Sequence, residues 1–230
     1  MSELNTQLNY EDMLKAGMHF GRKKTVFNPR MKKYVFIVKE GICIIDLIKT
    51  QSELNLAADY LKKIFARNGL VLFVALTKQS VDSVKDLAES LGMPHVVDRW
   101  LGGTLTNFKV ISGRVKKLER MENDKRSGAL DKYTKKERLL FEREIKKMEK
   151  SFGGLRKLTR LPDAVFVSSL KDSALPTHEA KIMKIPVVAI ANTDADPGEA
   201  ECVIPANDRS KRSVDLIVEA LKSELTKKSQ

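Results

Sequence analysis

Three histidines, two cysteines and one acid-rich loop are where this 230-residue chain would keep bond-making chemistry, and their spacing argues against it. None of His19, His95 and His178 stands in a catalytic spacing with Ser or Cys. His95, between Pro94 and Val96, reads as structural, and His178 as a surface residue of a helix. Cys43 and Cys202 lie in the β-branched runs ICIID and CVIP and read as buried, reduced thiols. Neither has a close Cys or His neighbour, which disfavours a zinc pair. Asp194, Asp196, Glu199 and Glu201 follow the apolar run PVVAIA, and three readings stay open for them: a solvated turn, a metal site or a protein contact. The Asp194-x-Asp196-x-Gly198 pattern lacks the full spacing and the terminal Glu of a calcium loop. His19 and Asp208 offer the other route to a metal at that edge.

Glycine chemistry for nucleotides is missing too. The turn after LVLFVAL reads TKQS, and neither G-x-G-x-x-G, G-x-x-x-x-G-K-[ST] nor G-x-S-x-G occurs. Gly102-Gly103-Thr104 is too short for a phosphate loop, although its amides could meet a backbone phosphate.

Charge is more informative. The formal net charge is +12, which favours a polyanionic partner, nucleic acid or an anionic membrane surface. Residues 15–39 hold eight basic residues (Lys15, Arg22, Lys23, Lys24, Arg30, Lys32, Lys33, Lys39) and no acid. Residues 107–160 hold 18 basic and 8 acidic residues, and the remainder is mildly acidic, with 16 against 22. A solvated face usually mixes signs, so an unmixed block implies an external anion to screen it. Arg22, Lys23, Lys24, Arg30, Lys32 and Lys33 are therefore expected to meet phosphates and release condensed counterions. No apolar stretch approaches the ~20 residues of a membrane span. The start, MSELNTQLNYED, resembles neither a secretory signal nor a lipidation motif, so a cytosolic protein is expected.

The elements that would position these groups follow from periodicity. YVFIVKEGICIIDL (34–47) reads as a tight β-hairpin around Lys-Glu-Gly. Leu54, Ala58, Leu61 and Phe65 mark a helix over 50–67, stopped by Asn68-Gly69. LVLFVAL (70–76) is a strand buried on both faces, followed by a helix over 80–91 and a short strand at 95–97. AVFVSSL (164–170), a helix over 174–183, PVVAIA (186–191) and CVIP (202–205) continue the alternation. Asp208 or Ser210 is expected to cap a last helix through Leu225. Alternating strands and helices predict an α/β fold: a three-layer sandwich around a mostly parallel sheet of about five strands.

Residues 107–152 interrupt that alternation. Phe108, Ile111, Val115 and Leu118, then Phe141, Ile145, Met148 and Phe152, form two narrow apolar seams. They predict an antiparallel coiled-coil hairpin projecting from a body made of 1–106 and 153–230, with the polar turn NDKRSGALDKYT between its helices. The alternative is a helix pair lying flat on the sheet. Arg99 and Trp100 sit beside Gly102-Gly103, where the backbone could approach RNA. Trp100 is open to two readings, a core aromatic or an indole stacked on a base. Asn107 and Lys109 at the hairpin's start, and Arg156, Lys157 and Arg160 at its base, complete the expected footprint.

Several segments together resemble the bacterial ribosomal protein S2 family: MLKAGMHFGRKKTVFNPRMKKYVF, GICIIDLIKT, GMPHVVDRWLGGTLTNF, FGGLRKLTRLPDAVFV, IPVVAIANTDADP and VIPANDRSKRSVDLI. They cover nearly the whole chain, from about Tyr10 to about Leu221. The resemblance implies a flavodoxin-like α/β domain with an inserted coiled-coil hairpin, a place between head and body on the back of the small ribosomal subunit, and no catalysis. Implied partners are small-subunit ribosomal RNA and neighbouring proteins, including the large OB-repeat protein that captures mRNA, but neither membrane nor DNA. No cofactor is required, but some members resemble a zinc pattern that uses the equivalents of His19, an aspartate at position 192 and Asp208. This chain departs from the family twice, with Arg22 in place of a histidine and Asn192 in place of that aspartate. The zinc pattern is thus incomplete, with Asp194 or Asp196 as the substitutes at hand.

Overall fold

Strands whose every side chain is apolar need cover on both faces, and the fold supplies it. The computed structural model describes residues 8–128 and 133–226. In chain order the elements are α1 (Tyr10–Lys15), β1 (Phe20–Lys23), two 3-10 turns (Lys24–Val26 and Pro29–Tyr34), β2 (Val35–Lys39), β3 (Ile42–Ile45), α2 (Leu47–Ala66), β4 (Val71–Val74), α3 (Val81–Ser90) and β5 (His95–Val96). Then come α4 (Phe108–Arg126), α5 (Lys135–Phe152), β6 (Ala164–Val167), α6 (Ala174–Ile182), β7 (Val187–Ala191), β8 (Cys202–Pro205) and α7 (Lys211–Thr226).

Five parallel strands form the central sheet in the order β5-β4-β6-β7-β8. Counted within the sheet, that is the flavodoxin-like order 2-1-3-4-5. Alternate residues divide the core. Val71, Phe73, Ala164, Phe166, Val188 and Ile190 pack against α2, α3 and α7 through Leu54, Leu61, Leu87, Val214 and Ile217. Leu72, Val74, Val165, Val167, Val187 and Ala189 pack on the opposite side against Met31, Tyr34, Trp100, Leu105, Ile111 and Ala180. The Phe73 and Phe166 rings, on neighbouring strands, lie 5.5 Å apart and tilted. Each such ring contributes ~1.5–3 kcal/mol by burial.

A second, antiparallel sheet runs β1-β3-β2. Its β2–β3 turn holds Glu40 at φ 50° and Gly41 at φ 75°, the left-handed pair that a two-residue hairpin demands. The following helix starts at Leu47, three residues before the expected Thr50. Asp46, which closes the apolar run IIDL, is its N-cap and accepts from the Ile48 amide.

The N-terminal segment straps this small sheet across the carboxyl edge of β7 and β8. Asn28 N–H donates to the Thr193 carbonyl, Arg22 N–H to Thr193 Oγ1, and Asn207 N–H to the Met18 carbonyl. Gly21 permits the approach: a Cβ there would lie 2.7 Å from Thr193 Cγ2 and 2.8 Å from the Cys43 carbonyl oxygen. Neither expected cap of α7 serves as one by its side chain. The Ser210 hydroxyl donates to the Ala16 carbonyl, while Asp208 is buried among side chains at the sheet edge. Both are drawn off by the strap, which the local sequence around α7 cannot reveal.

Helices α4 and α5 share a separate apolar cluster, Leu118, Met121 and Met148 with Phe141, Ile145 and Phe152 around them. It contains only side chains of these two helices, whereas Ile111 and Val115, near the start of α4, join the body's core. A capping box, Thr134 with Glu137, opens α5. Of the expected polar turn, residues 129–132 lie outside the described residues.

Candidate nucleic-acid interface

The first basic block separates largely by residue type; Lys15 is its one ion-paired lysine among the described residues, 3.7 Å from Glu11 Oε2 one helical turn away. Its arginines are tied to acids far away in sequence. Arg22, with its side chain 26% exposed, places Nη2 3.5 Å from Asp208 Oδ1 and Nε 3.6 Å from Asp194 Oδ1. Arg30 Nη1 donates to Asp196 Oδ2 at 2.7 Å. The Gly198 amide and then Arg30 hold the Asp196 carboxyl below its ordinary value. Of the three readings of the acidic loop, the solvated turn describes Asp196, paired with Arg30 at the surface, but not Asp194, which is largely buried against Arg22. The lysines behave differently. Lys23, Lys24, Lys32 and Lys39 are exposed, and no ion pair engages them among the described residues. Lys33 lies over the Tyr34 ring, 4.6 Å from its centroid, and contact with that phenol raises its pKa.

In the segment RWLGGTLTNF the anion is already built in. Glu179 of α6 is buried, and Oε1 accepts from Trp100 Nε1 and the Gly103 amide, each at 2.9 Å. Oε2 accepts from the Leu105 and Thr106 amides and from the Thr106 hydroxyl. Burial alone would raise this carboxyl's pKa, but the converging donors outweigh it and hold the group below its ordinary value. The amide of Gly103, at φ 90°, is thus engaged from within and that of Thr104 donates to the Leu101 carbonyl, so two of the three amides that could have met a phosphate are already taken. Trp100, 5% exposed, takes the core role of its two readings; stacking on a base is closed to it. Arg99, Gly102, Asn107 and Lys109 stay exposed around the loop. Sequence reading missed Glu179. The available signal was an acid on the stripe that carries Pro176 and Ala180, the buried face of its helix.

At the hairpin's base, Arg156 makes two 2.7 Å hydrogen bonds to Glu122 and also contacts Glu149. The two glutamates raise its pKa, and Glu122 is lowered in turn, chiefly by Arg156. Arg160 pairs with Asp163 at 2.8 Å, while Lys157 is exposed with no ion pair among the described residues. Farther out, Lys117–Glu144 and Lys125–Glu142 bridge the two helices at 2.7 and 2.8 Å.

The donors around Asp208 do not fit the implied zinc. His19 speaks in favour: its Nδ1 is buried without a partner, and burial lowers its pKa. Asp208 speaks against. Fully buried, it accepts from Ser169 Oγ at 2.7 Å and from Asn192 Nδ2 at 3.0 Å, and it faces the Arg22 guanidinium. Zinc would need a free carboxylate oxygen at ~2.0–2.2 Å, with no cation beside it. Among the described residues, no group of three or more His, Cys, Asp or Glu side chains is placed to hold a metal.

Where open α/β sheets bind ligands, at the carboxyl edge, the strap and its ion pairs cover β7 and β8. No helix among the described residues is long and apolar enough to cross a membrane. The model of the family described as "Ribosomal protein S2" matches residues 13–227. A protein of Bifidobacterium animalis subsp. lactis named small ribosomal subunit protein uS2 is 45% identical over 92% of this chain and 70% of its own length. Proteins of the same name from Salinibacter ruber and Thermus thermophilus are 40% and 41% identical, over 94% and 92% of this chain and 67% and 83% of theirs.

Proposed function

The chain belongs to the ribosomal protein S2 family, and from that premise we propose that it is held on the small ribosomal subunit by contacts between its N-terminal lysines and ribosomal RNA. As a member of the family it is a structural constituent of that subunit and not an enzyme. One observation carries the RNA reading: Lys23, Lys24, Lys32 and Lys33 are exposed, with no carboxylate bonded to them among the described residues, in a stretch that contains no acid. Such ammonium groups lower their mutual repulsion by neutralising phosphates, with release of condensed counterions. Arg99, Asn107, Lys109 and Lys157 extend this footprint toward the base of the hairpin, which we treat as an appendage over 107–152 on the body. Trp100 and Gly103 support the surface from beneath, and Arg22 and Arg156 are internal ties. The experiment is filter binding of the full chain to small-subunit ribosomal RNA across a salt series. Affinity should fall with salt, the log-log slope growing by roughly 0.7–0.9 per phosphate contacted. Affinity insensitive to salt would sink the reading.

A separate observation favours a protein partner as well. Cross-strand pairing puts Phe20, Ile37, Ile42 and Ile44 on one face of the small sheet. Phe36, at the irregular step in β2, is 74% exposed. An apolar patch of this kind, rimmed by Lys23 and Lys39, supports docking of a neighbouring ribosomal protein; the OB-repeat mRNA-binding protein is the partner the resemblance implies. Phe36→Ser with Ile37→Ser should then release that protein from purified subunits while leaving the salt slope of RNA binding unchanged.

A further inference from the structure

The two departures from the family pattern meet in space. Arg22 stands on β1 and Asn192 follows β7, yet both face the same oxygen, Asp208 Oδ1: the Asn192 amide at 3.0 Å and the Arg22 guanidinium at 3.5 Å. Asn192 is fixed in this orientation, because its own Oδ1 accepts the Thr193 amide at 2.7 Å. Asp208 has no exposure to solvent and so needs a counter-charge within the protein. Exchanging histidine for arginine adds one positive charge, and exchanging aspartate for asparagine removes one negative charge. Together they shift the pocket by two units, the charge of a divalent cation.

We propose that the Arg22 guanidinium and the Asn192 amide replace a divalent metal ion as the partner of Asp208, so that the strap is clamped to the sheet edge without zinc. The geometry is that of a diffuse cation rather than a point charge. Both arginine contacts, to Asp208 and to Asp194, are 3.5–3.6 Å long, so they act through charge more than through short hydrogen bonds. The backbone of the same residue is fixed by Thr193 Oγ1 at 2.8 Å, which delivers the side chain to the pocket. A zinc ion entering here would lie against a guanidinium and would have to displace the Ser169 and Asn192 hydrogen bonds from Asp208, whose side chain has no solvent exposure. The proposal is independent of the RNA reading, because Arg22 lies outside the lysine surface.

The test is metal content and thermal stability of the untagged full chain. After purification with zinc sulfate and passage over a desalting column, mass spectrometry should find well under about 0.1 zinc per chain, and EDTA should leave Tm unchanged. The double variant Arg22→His, Asn192→Asp should hold about one zinc and lose several degrees of Tm on chelation. A native chain that retains about one zinc, or melts lower in EDTA, overturns the proposal. So does a double variant that folds by circular dichroism but stays zinc-free, since these two residues would then not be what excludes the metal. If that variant does not fold, Arg22→Gln decides. It keeps much of the shape without the charge, and the proposal expects a lower Tm together with faster proteolysis before residue 35; an unchanged Tm overturns it.

Discussion

The N-terminal basic segment and the helical hairpin carry the same kind of charge excess, but the fold treats them in opposite ways. The hairpin contains acids among its bases, and the structure pairs them across its helices, Lys117 with Glu144 and Lys125 with Glu142, with Arg156 clamping Glu122 and Glu149 at the base. The N-terminal segment has no acid of its own. Its arginines therefore take carboxylates from the loop after β7 and from the turn before α7, and its lysines are left facing solvent. Arginine suits the inner role, since it is always charged, planar and only weakly hydrated. Lysine, a compact and strongly hydrated charge, stays outside in solvent. Local excess of one sign thus marks a surface only after the arginines captured through space have been subtracted.

The largest effect is expected where the hairpin is rooted. Glu179→Ala would strand the Trp100 indole N–H and the Gly103, Leu105 and Thr106 amides just before α4. A loss of about 3 kcal/mol in urea unfolding follows from leaving these buried donors without an acceptor. Because the folded-state pKa is lowered, this carboxylate contributes its full stabilisation above the unfolded value of about 4.3. The contribution disappears as pH falls through the lower folded value, so the gap between native chain and Glu179→Ala should narrow on acidification. A gap that widened in acid would refute the charged role.

Next comes the surface itself. Converting Lys23, Lys24, Lys32 and Lys33 together to Glu should lower RNA affinity by on the order of 100-fold or more and flatten the salt slope by about 3 units. The matching change on the hairpin, at Lys117 and Lys125, should disturb the helix pair, seen as faster proteolysis within 108–152, with little change of slope. Equal slope losses from both sets would erase the contrast between the regions. Arg156→Ala belongs with the hairpin set: its side chain is 32% exposed, so about 1 kcal/mol of stability is expected to go, again without a change of slope.

Much of this architecture was legible in the sequence. Continuous apolar runs placed β4, β6, β7 and β8, because a strand buried on both faces leaves no polar position, and period-3.6 stripes placed α2 and α3 within a few residues. The hairpin was legible by the same helical spacing, with Leu118, Phe141, Ile145, Met148 and Phe152 in its own cluster and Ile111 and Val115 drawn into the body's core. The strap was not. Helix α1 is six residues long and buries only Met13, and β1 alternates weakly, so neither carries a period to read. Partnerships across the chain were hidden as well: Arg22 and Asp208 are 186 positions apart, and Trp100 and Glu179 are 79. Composition located the basic block but could not say which of its cations the fold had already taken.

Arg30 is the residue on which the division between arginines and lysines can be tested most finely. It pairs with Asp196 through Nη1 at 2.7 Å, yet its side chain is 68% exposed, far more than that of Arg22 or Arg156. An exposed pair of this kind contributes about 0.2–1 kcal/mol, so Arg30→Ala should barely move the unfolding midpoint. RNA binding separates the two roles. An arginine held within the fold leaves the salt slope unchanged when removed, whereas a phosphate contact lowers it by about 0.7–0.9. Because Asp196 already neutralises this guanidinium, the expected result is an unchanged slope, with Asp196→Asn then raising affinity slightly as Arg30 is set free. A full unit lost on Arg30→Ala would move Arg30 into the lysine class and shift the boundary between tie and surface to exposure rather than residue type.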